Sequence, residues 1–154
     1  MTNIVYSHAG DKFYISTTAQ SSNLDQTGFE ALSFTQVTQV GSIGEYGVST
    51  NMLSYDTLDT VVSQKAKGIT NAGDPAIECA RNSDDAGQLA MKVAGAPTYY
   101  NAHAFKVLRQ DGSIDYLRGL VAGPVAPNGR NEDFDLWVFT LALVQEPLFV
   151  DATS

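Results

Sequence analysis

The side chains able to do chemistry in this chain are few and scattered. Cys79 is the only cysteine. A nucleophilic thiol needs a base held beside it, and the segment PAIECAR offers none, so Cys79 reads as a small buried hydrophobe. His103 has the side chain of a general base, yet no serine or cysteine is fixed near it by motif, which leaves a strand-surface histidine. Asp84 and Asp85 have metal-ligand side chains, but they open SDDAGQLAMKV, where acids complement the positive end of a helix. The glycines of GSIGEYG (Gly41, Gly44, Gly47) lack the Gly-Lys-Ser/Thr of a phosphate loop and the spacing of a dinucleotide fingerprint, so they supply bends or close backbone approach. A hydrolase built on His103 with Asp84 or Asp85 lacks a nucleophile. No catalytic residue, metal site or cofactor is expected.

The elements that would position these residues are mainly strands. Residues 102–119, AHAFKVLRQDGSIDYLRG, read as a hairpin around Asp111-Gly112, a dipeptide suited to a two-residue type I′ turn. Apolar residues at both odd and even positions (Phe105, Val107, Leu108, Ile114, Tyr116, Leu117) predict strands covered on both faces. Further strands are expected at 12–17 (KFYIST), at 31–40 (ALSFTQVTQV, one wet face), at 75–81, and at 134–144 (FDLWVFTLALV), the last buried on both sides. The segment 83–94 is the one clear helix, with Ala86, Leu89, Ala90 and Val93 spaced as its core stripe and Gly95 and Pro97 as stops. Asn128-Gly129 offers a second tight turn, and 146–150 a cap for the sheet or a contact with a neighbour. The region 46–73 shows modest β character and a polar second half; as a long loop it reads as an excursion serving something away from the core.

The chain has 154 residues and a net charge of −8, a length that fits one domain with a real core. Between Lys12 and Lys65 there is no cation, although Asp25, Glu30, Glu45, Asp56 and Asp59 lie there, so part of the surface should be acidic. Tight wrapping of nucleic acid, which needs Lys and Arg on phosphates, is thereby disfavoured. A lone cysteine fits a reducing compartment. No apolar run approaches a membrane span, and the first residues have no basic or apolar leader pattern.

Over 34–144, taken in order, the chain resembles the major tail tube proteins of long, non-contractile-tailed phages. The resemblance is carried by TQVGSIGEYGVSTNMLSYDTL, by KG before a turn, by the R..DDAGQLA helix start, by FKVLRQDGSIDYLRGLVAG and by the closing apolar strand. It implies a single-domain β-sandwich or barrel over 1–154 with one flanking helix and a long loop excursion. It also implies a virion protein assembled in the host cytoplasm, six copies per ring, with rings stacked around a tape measure protein between a terminator and distal tail or baseplate proteins, and a lumen that passes DNA. Tyr46, Tyr55, Asp56, Leu58, Val61, Lys65 and Lys67 are then the expected contacts between subunits or rings, with the terminal segments as further ones. Glu45 and Glu78 are the expected acidic side chains of the lumen. An end ring (terminator or adaptor) and a type VI secretion-like tube protein share the architecture.

Overall fold

The computed structural model describes residues 5–152. From the first strand, β1 (Lys12–Ala19), the chain passes through a one-turn helix α1 (Gln26–Glu30) into β2 (Phe34–Val37) and β3 (Val40–Ile43). A hairpin, β4 (Ser49–Tyr55) and β5 (Gln64–Asn71), precedes β6 (Ala76–Ala80) and the helix α2 (Ala86–Ala94). Then come β7 (His103–Leu108), the long β8 (Ile114–Val125), β9 (Leu136–Leu143) and β10 (Leu148–Val150). Except for the β4/β5 hairpin, all strands join one antiparallel sheet of order β2-β1-β7-β8-β9-β6-β3, with β10 pairing the start of β8 where β9 has left off.

The segment expected as a single strand at 31–40 is thus two strands, and they lie at opposite edges of the sheet. Only Thr38 and Gln39 separate them, so the sheet must roll until its edges nearly meet, as an incompletely closed barrel. Gln39 makes the corner with φ of 60°, a left-handed conformation that costs a non-glycine residue about 1 kcal/mol. Hydrogen bonds hold it there. The Ala80 amide donates to the Gln39 carbonyl at 2.8 Å, and the Thr38 amide donates to the Asp85 carboxylate at 3.1 Å.

Alternation along β1, β7, β8 and β9 sends Phe13, Ile15, Phe105, Val107, Leu117, Phe139 and Leu141 into the barrel, with Ile77 and Cys79 from β6. Helix α2 closes the opening with Met91 and Ala94. The opposite face of β7 and β8 packs Ala104 and Tyr116 under Phe29 of α1, with the Phe29 and Tyr116 rings 4.9 Å apart. The hairpin is therefore covered on both sides, partly by a helix not expected in the turn-rich segment 19–28. Its turn is a three-residue loop rather than a two-residue one. The Arg109 amide donates to Ser113, the Gly112 amide donates to Arg109, and Gly112 alone takes positive φ, at 93°, which is a type I turn followed by a left-handed residue.

The helix differs from expectation in phase. Its cap is Asp85, whose carboxylate accepts the Gln88 amide at 3.0 Å, and its buried residues are Gly87, Gln88, Met91 and Ala94. Leu89 and Val93, the expected core stripe, are 44% and 63% exposed. Gln88 governs the phase. Its amide nitrogen donates to the carbonyls of Thr38 and Ala80, and its oxygen accepts from the Asn82 amide, all at 2.9 Å. Three backbone groups of the β2–β3 corner and the β6 end have these as their partners, which outweighs burying two more methylene-rich side chains.

Strand β9 is buried on one face only. Trp137, Phe139, Leu141 and Leu143 point inward, whereas Thr140 is exposed and Val138 and Ala142 are half-buried, and Phe134 lies outside the strand in solvent. Asn128-Gly129 sits in the β8–β9 connection and makes no hairpin turn; the turn there runs from Arg130 to Asp133. Trp137→Ala should cost about 3 kcal/mol in urea unfolding, the low end for buried aromatics because the ring lies at the rim of the core. A loss near zero would place Trp137 outside it.

Candidate assembly surfaces

His103 is buried, not on a strand surface. Its Nδ1 faces the Ser16 carbonyl at 2.7 Å, which can only accept, so Nδ1 carries the proton and Nε2 accepts from the Tyr99 hydroxyl at 2.7 Å. Nδ1 thus ties β7 to the irregular stretch of β1, and Nε2 ties it to the connection that precedes β7. Cys79 lies in the core, its thiol pushed up to about 11 by burial and by the charges of Asp85 and Glu78. It should react with a disulfide reagent at neutral pH only after denaturation; stoichiometric labelling of the native chain within minutes would contradict that burial. Asp85 caps helix α2, and no group of three potential metal ligands occurs among the described residues.

The excursion expected as a loop is the β4/β5 hairpin, a two-stranded sheet that shares no ladder with the barrel. Its β character comes from Thr, Met, Leu and Tyr in β4 facing Thr, Lys, Ala and Gln in β5, a pairing that places Leu53 opposite Ala66 and Met52 opposite Lys67. Both strands pass through glycine where the arm leaves the body. Gly47 and Gly73 have φ of 147° and 113°, and they lie side by side, so a Cβ on Gly73 would sit 3.3 Å from the Gly47 nitrogen.

Of the expected contact residues, Tyr55, Asp56, Leu58, Val61, Lys65 and Lys67 are all exposed on this arm, with Leu58, Val61 and Val62 at its tip among the most exposed apolar side chains of the chain. Lys65 and Lys67 share one face of β5, while Leu53 and Tyr55 share the other. Tyr46 does not belong with them. It is half-buried in the body, packed on the core and stacked 6.3 Å from Phe149. Its hydroxyl donates to Asp115 at 2.5 Å, and Arg109 donates to the Tyr46 hydroxyl, to Asp115 at 2.7 Å and to Asp11 at 3.0 Å.

This node roots the arm in the β7–β8 turn and the start of β1. Burial and the Asp115 charge push the Tyr46 phenol well above its ordinary range, so it is a fixed donor rather than an acid or base. Burial alone would raise the Asp11 carboxyl, but hydrogen bonds from His8, Arg109 and the Gln110 amide outweigh it and hold the group below the usual carboxylate range. With the folded-state value depressed, the stability Asp11 contributes is present above about pH 4 and is lost as the medium is acidified through that lower value. An Asp11→Asn variant should therefore lose less stability than the unmodified chain on going from about pH 5 to about pH 3, read as the shift in urea midpoint. An equal loss in both would detach Asp11 from the node's pH response. The sequence carried a signal for this node: Asp115 falls in phase with Leu117 and Phe105, and a carboxylate at a core-phase position requires a charged partner.

A groove of about 550 Å³ runs beside the node, lined by β3 and the residues that follow it, with His8, Arg109 and Phe149 opposite. Glu45 is exposed on its rim, beyond the end of β3 and so on no strand face, whereas Glu78 lies half-buried on the outer face of β6, across from Val138 and Ser42. The two expected lumen acids thus do not share a strand face. Among the described residues, neither helix packs closely on the outer face that carries Glu78, Val138, Thr140, Ala142 and Ala122. The tail strand β10 extends the barrel sheet, pairing Leu148–Val150 with Ile114–Tyr116. Residues 1–4 of the N-terminal segment lie outside the described residues.

The fold is similar to that of a chain from a prophage baseplate and a chain from a sheath/tube terminator. A chain of the anti-feeding prophage baseplate, from a six-fold symmetrised cryo-EM structure, superposes with a TM-score of 0.69 at 8% identity, covering 100% of both chains. A chain from the sheath/tube terminator of an extracellular contractile injection system in its extended state gives a TM-score of 0.71 at 6% identity, over 98% of this chain and 100% of the other. At that identity the likeness is one of fold. No protein-family model matches, and no curated protein does. The mainly β, tail-type fold expected from the sequence is the fold observed. One neighbour comes from a prophage baseplate and the other from a contractile injection system, and neither supports the narrower expectation of a non-contractile tail.

Proposed function

We propose that the chain is a ring-forming structural subunit of a tail-type injection apparatus and performs no catalysis of its own. The observation that carries this reading is the β4/β5 arm: large apolar side chains held fully in solvent on a hairpin with separate roots are of no use to a monomer, and they mark a contact with another chain. The neighbours' origin, one from a six-fold symmetrised baseplate and one from a sheath/tube terminator, supports a ring of six at or near a tube end, as an adaptor or terminator. A stacked tube subunit is the second reading, favoured by the same arm, since a projection from one face suits contact with a following ring. In geometric terms, a head-to-tail interface that closes by rotation makes the ring, and one that does not close makes the stack.

The partners on either reading are further copies of the chain and the adjoining tail components, a tape measure protein, a terminator and baseplate proteins among them. Its location is the tail of a virion or an injection particle. The uncovered sheet face with Glu78 is the proposed inner wall, where small side chains and a carboxylate let DNA pass without adhering. Electron microscopy of the purified chain over a range of concentrations tests the proposal. Isolated rings are expected for an end component, and hollow tubes with a regular axial repeat for a stacking one. A chain that stays monomeric throughout would overturn both.

A further inference from the structure

We infer that the arm tip of one copy docks on the exposed face of helix α2 of a second copy, around Trp137; the inference rests on the ring-forming reading and names its contact. The arm tip combines three apolar side chains, Leu58, Val61 and Val62, with two carboxylates, Asp56 and Asp59, all exposed. A surface complementary to it needs exposed apolar groups beside cations, in a chain whose net charge is −8. The face of α2 is such a surface. Leu89 and Val93 stand exposed one turn apart on the helix, and Lys92 lies between them in sequence.

Two cations flank the Trp137 ring, the Lys92 ammonium 5.4 Å and the Arg81 guanidinium 5.0 Å from its centroid. Arg81 has a weak ion pair at 3.7 Å with the exposed Asp135, and Lys92 has no ion pair among the described residues. The helix phase is the further argument. The barrel gave up burial of Leu89 and Val93 to keep Gln88 inside, leaving an apolar stripe with nothing over it in the single chain. Seating the tip there covers Leu89 and Val93 with Leu58, Val61 and Val62 and sets Asp56 and Asp59 against Lys92 and Arg81. Charge at the rim of such a contact fixes register and partner choice as much as affinity.

A charge exchange tests this. Sedimentation velocity is run on the unmodified chain, on Asp56→Lys/Asp59→Lys, on Arg81→Glu/Lys92→Glu, on an equimolar mixture of these two, on Leu89→Ser/Val93→Ser, and on a chain lacking residues 48–72. Circular dichroism confirms that each is folded, and Lys92→Glu alone, at an exposed position of α2, replaces the double variant should that one unfold. Each charge variant and the serine variant should associate at least tenfold more weakly than the unmodified chain, and the mixture should recover most of the loss, because every contact then has opposite charges available. Charge and serine variants that assemble like the unmodified chain, while the arm-deleted chain does not, would overturn the docking site and leave the functional reading standing. An arm-deleted chain that assembles normally would overturn the docking site by taking the arm out of the interface, and an unmodified chain that remains monomeric would overturn both.

Discussion

A Gly87→Val chain should fail to accumulate as a folded monomer, or should unfold in urea with a loss of more than about 4 kcal/mol. A Cβ at position 87 would lie 2.1 Å from the Gln36 carbonyl oxygen and 2.7 Å from the Val37 Cα. Both are backbone atoms of β2, so no side chain can swing aside, and the helix has to lift off the sheet. Overpacking usually costs about 1–3 kcal/mol where neighbours can relax. Here the displacement also withdraws Gln88 from the Thr38 and Ala80 carbonyls and the Asn82 amide, and each buried group left unpaired costs about 1–3 kcal/mol more. Leu89→Ala, on the exposed side of the same helix, is the control and should change stability by less than about 1 kcal/mol. A Gly87→Val chain with an unaltered midpoint would show that the helix is not seated against β2.

Removing residues 48–72 and joining Gly47 to Gly73 should leave the barrel intact and abolish association. The two glycines are already neighbours, with the Gly47 amide bonded to the Ala72 carbonyl at 3.1 Å. The arm shares no strand pairing with the body, and the Tyr46–Arg109–Asp115 node lies on the body's side of the cut. The far-ultraviolet spectrum and urea midpoint should stay close to those of the full chain, while sedimentation should show a monomer at every concentration at which the full chain assembles. An unfolded product would make the arm part of the folding unit, and undiminished assembly would remove it from the interface.

Much of the barrel was legible in the residues because strands covered on two faces leave an unmistakable apolar pattern, as in AHAFKV and SIDYLRGL. What escaped were features decided by contacts distant in sequence. Alternation alone cannot say that 31–40 divides at Gln39, since the corner is held by Ala80, Asp85 and Gln88. Helix phase was misread for the same reason. Leu89 and Val93 make the more apolar stripe, and only the polar demand of the corner turns Gln88 inward. The arm escaped as a hairpin because its strands lack a buried face and so lack the alternation by which strands are recognised. Of the proposed assembly surface, Asp56, Leu58 and Val61 stood out because they fall in a long excursion. Their proposed receptor did not, because Arg81, Lys92 and Trp137 come from three separate elements.

Strands β2 and β3 are neighbours along the chain but occupy opposite edges of the sheet. Strand β2 pairs with β1, the strand before it in the chain, whereas β3 pairs with β6 and has to wait for it. The β7–β8 hairpin is local and can form first, β1 and β9 add to its two sides, and β6 must be in place before β3 has anything to pair with. Pairing of β3 with β6 spans the whole arm and is slow relative to forming a hairpin, and until it forms the free edge of β6 offers backbone groups to any other chain nearby. On the proposed function, in which copies of the chain assemble, that partly folded state is one able to join them wrongly, and it ends when β3 is seated and Gln88 ties the corner to helix α2.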